Sequence, residues 1–294
     1  MRRVVQISDL HFGNNDPALL MPLRRAIEKL APDVLVLSGD FVEHATEPEF
    51  EQARHFVEQL PKPQIVVPGN HDLAFYNILH RATVGLRTYK RYITEDLHPR
   101  FEDEELAIFG TNTSRLWPLR GGSLSSRQLE ELAANFAAVP AHKTRILVTH
   151  HPFDLPEGQE RRLIVGHARR SIAKLAPFVD ILLAGHIHLS STGSTANHYK
   201  IAGHAMTFVQ AGTAVSNRHK GEVNSFNSMR VLCAIEGGKA VIVDRFSWVR
   251  ERGEFCCKCA TEYRLESEGW ARVDPEKVAQ AEVREEAGIR RASE

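Results

Sequence analysis

Before residue 190 the chain breaks five times out of a short apolar run into the same small set of polar residues. "VVQI" gives way to Asp9-Leu10-His11, "VLVLS" to Gly39-Asp40 and "QIVVP" to Gly69-Asn70-His71-Asp72. Further on, "RILVT" ends in His150-His151-Pro152 and "DILLA" in Gly185-His186-Ile187-His188. The runs are rich in β-branched residues and too short for helices, so they read as buried strands. Between the first three lie segments with helical spacing, Leu20, Leu23, Ile27 and Leu30, then Phe50, Ala53, Val57 and Leu60. Strand, helix and strand in that order predict parallel strands joined by right-handed crossovers. The carboxyl ends of such strands are where α/β folds bind ligands. One His behind a strand is an ordinary capping residue. Five such endings gather carboxylates and imidazoles at one sheet edge, which is costly unless a cation offsets it. Gly39, Gly69 and Gly185 fit turns in which backbone comes close to a bound group.

The rest of the chain reads as the frame around that edge. Residues 73 to 96 have a helical pattern. "HPRFEDEELAIFGTN" reads as a hairpin turning at Glu102 to Glu105. "SSRQLEELAANFAAV" reads as a helix capped by Ser125 or Ser126, with Leu129, Leu132 and Phe136 on one face. From 199 to 248 come strands, "AMTFVQAG", "SMRVLCAI" and "AVIVDRFSW", joined by Gly-rich turns. No fixed-period repeat and no low-complexity tract interrupts the pattern. After Trp248 the character changes: "RERGEF" is polar, Cys256, Cys257 and Cys259 follow, and residues 274 to 294 are rich in Glu, Arg and Ala. The expectation is one catalytic domain over 1–250. Residues 251–294 then form a cysteine-bearing segment and a charged helical tail with a thin stripe of Val278, Val283 and Ile289. The cysteines lack zinc-ribbon spacing, and adjacent Cys256 and Cys257 suit no disulfide framework. With Cys233 they read as reduced thiols, those of the cluster on a strand.

Composition narrows the function classes. Lys plus Arg and Asp plus Glu are 37 each, a net charge of zero that argues against a grip on long nucleic acid. No apolar run approaches the roughly 20 residues that span a bilayer. No separate apolar signal region precedes Ser8 and Asp9. The expectation is a cytoplasmic protein with no membrane span and no nucleic-acid partner.

The blocks D-x-H, G-D, G-N-H-D, H-x-P and G-H-x-H, in that order, resemble the calcineurin-like metallophosphoesterase superfamily over about residues 3 to 250. The resemblance implies a four-layer α/β fold, a two-sheet β-sandwich flanked by helices, with a dinuclear metal site at the strand C-terminal ends. It implies that Asp9, His11 and His188 bind one metal ion and that Asp40 bridges to the second, completed by Asn70, His150 and His186. In T-H-H-P the ligand is His150, because the family pattern is His, any residue, Pro. Mixed carboxylate and imidazole ligands suit two divalent or trivalent ions such as Mn, Fe or Zn rather than Ca. Two such cations lower the pKa of a shared water, and the bridging hydroxide attacks phosphorus in line without a protein nucleophile. His71 then protonates the leaving oxygen, and Asp72 either orients His71 or starts the next helix.

Around this centre, His151 either touches substrate or merely follows the ligand. Asn112 and Arg115 behind "LAIFG", and Arg218 in "SNRHK", are candidates for binding substrate, whereas His44 reads as a surface residue. "VVQISDLHFG" and "VVPGNHD" resemble bacterial phosphodiesterases of the class III cyclic-nucleotide type. The implied activity is hydrolysis of small phosphodiesters, 3′,5′-cyclic nucleotides among them. Two enzyme alternatives stand beside it. One is a hydrolase of UDP- or lipid-linked diphosphates, with "LAFYNILHRATVGLRTYKRYI" as its lid. The other is a DNA-repair-type exonuclease, disfavoured by the zero net charge. A non-catalytic scaffold of the same fold is disfavoured because every ligand position and His71 are filled.

Overall fold

The apolar runs do form strands, and they sort into two sheets. A computed structural model describes residues 1–73, 85–116, 121–155, 163–199, 201, 203–232 and 238–274. Strands β1 (Arg2–Ile7), β2 (Val34–Leu37) and β3 (Gln64–Val66) run parallel. Their crossovers are helices α1 (Leu20–Leu30) and α2 (Glu47–Glu58). Helix α1 buries Leu23 and Ile27, and α2 buries Phe50, Ala53, Phe56 and Val57, so the spacing seen in the sequence is the buried face. Helix α2 starts with a capping box between Thr46 and Glu49.

Within the segment expected to be helical from 73 to 96, the described helix is α3 (Arg87–Tyr92), and residues 74–84 lie outside the described residues. The hairpin follows as β4 (Arg100–Glu102) and β5 (Leu106–Gly110), and Asp103 Oδ1 accepts the backbone N–H groups of Glu105 and Leu106 in its turn. Helix α4 (Ser126–Ala137) is capped by Ser125, whose Oγ accepts from Gln128 N. Strands β6 (Thr144–Val148), β7 (Ile181–Ala184), β8 (Ser191–Ser194) and β9 (Thr207–Gln210), with α5 (Ala168–Leu175) between β6 and β7, complete the second sheet. Its order is β4-β5-β6-β7-β9-β8, with β5, β6, β7 and β9 parallel.

The chain then returns to the first sheet. Strands β10 (Ser225–Leu232), β11 (Ala240–Val249), β12 (Glu254–Glu266) and β13 (Gly269–Arg272) extend it antiparallel, giving the order β13-β12-β11-β10-β1-β2-β3. The boundary expected at residue 250 therefore falls in the turn between two paired strands of one sheet. Arg245, Phe246 and Ser247 of β11 face Cys259, Cys257 and Cys256. The extra residue of a bulge, Lys258, sits among them. These thiols are free; Cys256 is half-buried, and Cys257 and Cys259 are exposed. Beyond them Trp270 is buried, so the domain continues through β13. Cys233 and the expected helical tail from 275 onward lie outside the described residues.

Three apolar clusters hold four layers together. One fills the space between the sheets, with Val4, Val36, Ile108, Ile146, Leu183 and Met229 among its members. A second lies under α1 and α2, and a third under α4 and α5. At the end of the sandwich remote from the parallel strands' carboxyl ends, buried Asp180 accepts from Lys239 Nζ at 3.0 Å and Trp270 Nε1 at 3.1 Å. That contact ties the first sheet's outer strands to the start of β7. Among the described residues no helix is long and apolar enough to cross a membrane.

Candidate metal centre

Each of the five polar endings emerges at the carboxyl end of its strand, and the parallel order brings them together. Of the eight non-glycine residues with positive φ among the described residues, five are Asp9, His11, Asp40, His186 and His188. Left-handed backbone at a non-glycine costs of order 1–3 kcal/mol and concentrates at functional sites. Two glycines are fixed by close approach. A Cβ at Gly69 would lie 2.1 Å from Asp40 Oδ1, and one at Gly185 would lie 1.9 Å from Ser8 Oγ.

Asp9, His11, Asp40 and His188 bring ligand atoms within 4.8 Å of one another, and so do His150, His151 and His186. Asp40 Oδ2 lies between the groups, 3.7 Å from His11 Nε2 and 3.3 Å from His150 Nε2. Asn70 Oδ1 stands 3.1 Å from His150 Nε2. The structure thus gathers every residue the sequence assigned to the metals.

Hydrogen bonds at His150 and His188 and a charge contact at His11 fix which nitrogen each imidazole presents. His150 Nδ1 donates to the Ser38 carbonyl at 2.7 Å, and His188 Nδ1 to the Arg218 carbonyl at 2.9 Å. His11 Nδ1 faces Glu43 Oε2 at 3.0 Å. Each of the three therefore turns an Nε2 lone pair inward, and those of His11 and His188 meet at 3.1 Å. Two lone pairs that close need a cation or a proton between them. The buried Nε2 atoms of His186 and His151 have no hydrogen-bond partner. This donor set fits metal ions.

The electrostatics say the same. Burial works against a charge on His11, but Asp9, Glu43 and Asp40 overcome it and raise the imidazole to about 9. Burial likewise opposes His150, and Asp40 raises it to about 9. Burial also opposes the carboxylates of Asp9 and Asp40, yet the surrounding histidines hold both well below their usual range. A site whose carboxylates favour protons on the surrounding imidazoles so strongly is built around positive charge.

Other assignments change in the structure. The carboxylate of Asp72 does not orient His71. Oδ1 accepts from Phe41 N at 2.9 Å and Val42 N at 3.3 Å, and Oδ2 from Gly69 N at 2.7 Å. Asp72 therefore pins the Asp40 turn to the Gly69 turn, while burial and Asp40 push it up to about 7. His71 Nδ1 donates instead to the Glu43 carbonyl at 2.9 Å, and its Nε2 accepts from Arg218 Nη1 at 2.8 Å. Burial lowers His71 to about 4, so it stands neutral.

Arg218 lies beside His71, and its guanidinium also pairs with Glu43 at 3.3 Å. Asn112 and Arg115 turn another way. Asn112 Oδ1 accepts from Ser114 N at 2.8 Å, and Arg115 donates to Ser123 Oγ and Gln128 Oε1 at the start of α4. His151 is fully buried between Thr113 and the His186 ring, with ring centroids 4.5 Å apart. His44 is exposed and pairs with Glu49, as its surface reading implied.

One residue escaped the sequence reading. Buried Glu43 contacts His11, His71 and Arg218, and although burial opposes its charge, His11 holds it at about 2. A carboxylate three residues beyond Asp40 was the available signal, because a metal-binding imidazole needs a partner on its other nitrogen.

The chain is similar to known proteins. A family model for calcineurin-like phosphoesterases matches residues 2–190. The 3′,5′-cyclic adenosine monophosphate phosphodiesterase CpdA of Escherichia coli K12 is 30% identical over 205 residues, covering 63% of this chain and 69% of that protein. The UDP-2,3-diacylglucosamine pyrophosphatase LpxG of Chlamydia muridarum is 39% identical over 167 residues, covering 53% of this chain and 44% of that protein. The solved purple acid phosphatase PPD1 of yellow lupin superposes with a TM-score of 0.66 at 15% identity, which is a likeness of fold. That match covers 88% of this chain and 53% of the phosphatase.

Proposed function

The chain belongs to the calcineurin-like phosphoesterase family and is a metal-dependent phosphoester hydrolase; from that premise we propose that it hydrolyses small phosphodiesters at a two-ion centre. Asp9, His11 and His188 would hold one ion and Asn70, His150 and His186 the other, with Asp40 available to both groups. The observation that carries this assignment is Asp40 Oδ2 standing between inward-facing Nε2 atoms from both groups.

When bound, the two ions activate water and neutralise charge growing on the phosphoryl oxygens. The chain's own residues do the rest. Glu43 holds the His11 ring in its ligating tautomer. Arg218, half-exposed and already beside His71, turns its remaining N–H groups to a phosphate oxygen. His71 keeps its proton on Nδ1 against the Glu43 carbonyl, so once Arg218 turns to the phosphate the freed Nε2 takes up a proton from solvent and passes that proton to the leaving oxygen.

Among the described residues, the cations near the centre favour a diester. A monoester dianion calls for several cationic groups around the phosphate, whereas Arg115 is held at α4 and Arg218 is itself balanced by Glu43. The identity to CpdA supports cyclic nucleotides as substrates. The identity to LpxG supports a second reading, hydrolysis of a UDP-linked diphosphate. The experiment compares kcat/KM for bis(nitrophenyl) phosphate and nitrophenyl phosphate at one pH with one metal, then adds cyclic AMP and a UDP-sugar diphosphate. Diester preference with turnover of cyclic AMP supports the first reading. Preference for the monoester overturns the phosphodiesterase assignment, and turnover of the UDP compound alone supports the second reading.

A further inference from the structure

The ligands come from both sheets, so something must set the distance between those sheets. We propose that Gln6, Ser38 and Asn227 form a positioning layer beneath the metal centre that aims His150 and His186. Inner-face residues run Val4 then Gln6 along β1, Val34 and Val36 then Ser38 at the end of β2, and Val231 and Met229 then Asn227 along β10. The sheet interface is thus apolar until the last layer before the ligands, where it becomes polar. Gln6 and Ser38 are wholly buried and Asn227 is 2% exposed.

Both amide groups spend both protons. Gln6 Nε2 donates to Ser38 Oγ at 3.2 Å and to the Ala184 carbonyl at 2.9 Å. Asn227 Nδ2 donates to Gln6 Oε1 at 3.2 Å and to the Gln210 carbonyl at 3.2 Å. Gln6 and Asn227 are register partners in one sheet, and Ala184 and Gln210 are register partners in the other. Two hydrogen bonds therefore cross the sandwich and fasten one matched pair to another. Two of the layer's outlets lead to ligands of the same ion. The Ser38 carbonyl accepts His150 Nδ1, and Ala184 is followed by Gly185 and then His186.

A satisfied buried network adds little net stability, since apolar groups of the same shape in both positions are nearly neutral. What it adds is direction. Hydrogen bonds fix a spacing between sheets that packed valines leave free to slide. The inference rests on the assignment of His150 and His186 as ligands, and wild-type protein binding two Mn ions per chain checks that separately.

The test is Gln6→Met with Asn227→Leu, made together so that neither amide is left unpartnered. Calorimetric titration with Mn and thermal unfolding of the metal-free protein are read side by side. Expected is a Tm near wild type, an unchanged first ion, and a second ion bound about 10-fold or more weakly, as for lost outer support of a ligand. Ser38→Ala, a smaller change, shifts the second ion in the same direction and serves if the double variant does not fold. Wild-type affinity for both ions in these variants overturns the proposal. Equal weakening of both ions together with a fallen Tm overturns it too, since that pattern belongs to a layer that only holds the fold.

Discussion

At the scale of single residues, the site is a set of tautomers fixed from outside. Glu43 does this for His11, the Ser38 carbonyl for His150, and the Arg218 carbonyl for His188. Glu43→Gln keeps the shape but removes the charge that favours the ligating tautomer, and metal affinity is expected to fall about 10- to 100-fold. Equilibrium dialysis with Mn reads that loss, and unchanged affinity would show Glu43 to be a bystander. Protons compete with metal at the same nitrogens. His11 and His150 are raised to about 9 from an unfolded value of 6.5. The folded, metal-free chain therefore binds those protons more tightly than the unfolded chain. Their contribution is complete below about pH 6.5 and is lost as pH rises through about 9. Chelated protein should lose Tm across that window while Mn-loaded protein does not, because the ions replace the protons. A parallel decline in both forms would remove His11 and His150 from the explanation.

At the scale of elements, the strand ends were legible because each proposed ligand lies within four residues of an apolar run. Asp9 and His11 leave β1, and His186 and His188 leave β7, so local pattern was enough. Glu43 was not legible as a partner of His11, since nothing local says which of several acids a strand crossing will bring near. Asp72 misled for a related reason: it follows His71 in sequence, but its carboxylate turns to three backbone N–H groups on two loops. Arg115 follows β5, yet the capped start of α4 offers its guanidinium Ser123 and Gln128. The turns themselves leave no slack. Gly185→Ala drives a Cβ to within 2.6 Å of Asp9 Oδ2. It should strip metal from a protein that still folds, read as metal content beside circular dichroism; retained metal would contradict the packing described.

At the scale of the molecule, the sandwich is pinned at both poles, by ligands at one and by Asp180 at the other. The polar character of "RERGEF" hid the second pole's dependence on β12 and β13, because an edge hairpin exposes most of its side chains. A chain cut after Ser267 loses Trp270, which is buried and donates to Asp180. It should be destabilised by about 3–5 kcal/mol, as for truncation of a large buried aromatic, whereas a cut after Asp274 keeps every contact described. Urea unfolding distinguishes the two, and equal stability would return the boundary to residue 250.

The central claim is that one bridged pair of ions at the strand ends performs the hydrolysis. The most direct measurement is the rate of bis(nitrophenyl) phosphate hydrolysis as metal-free protein is titrated with Mn, in wild type and in Asp40→Ala. Activity should rise until two equivalents per chain are bound and should be nearly absent from Asp40→Ala, which loses its hold on both ions. Activity that saturates at one equivalent, or an Asp40→Ala protein with two ions and near-normal turnover, would contradict it.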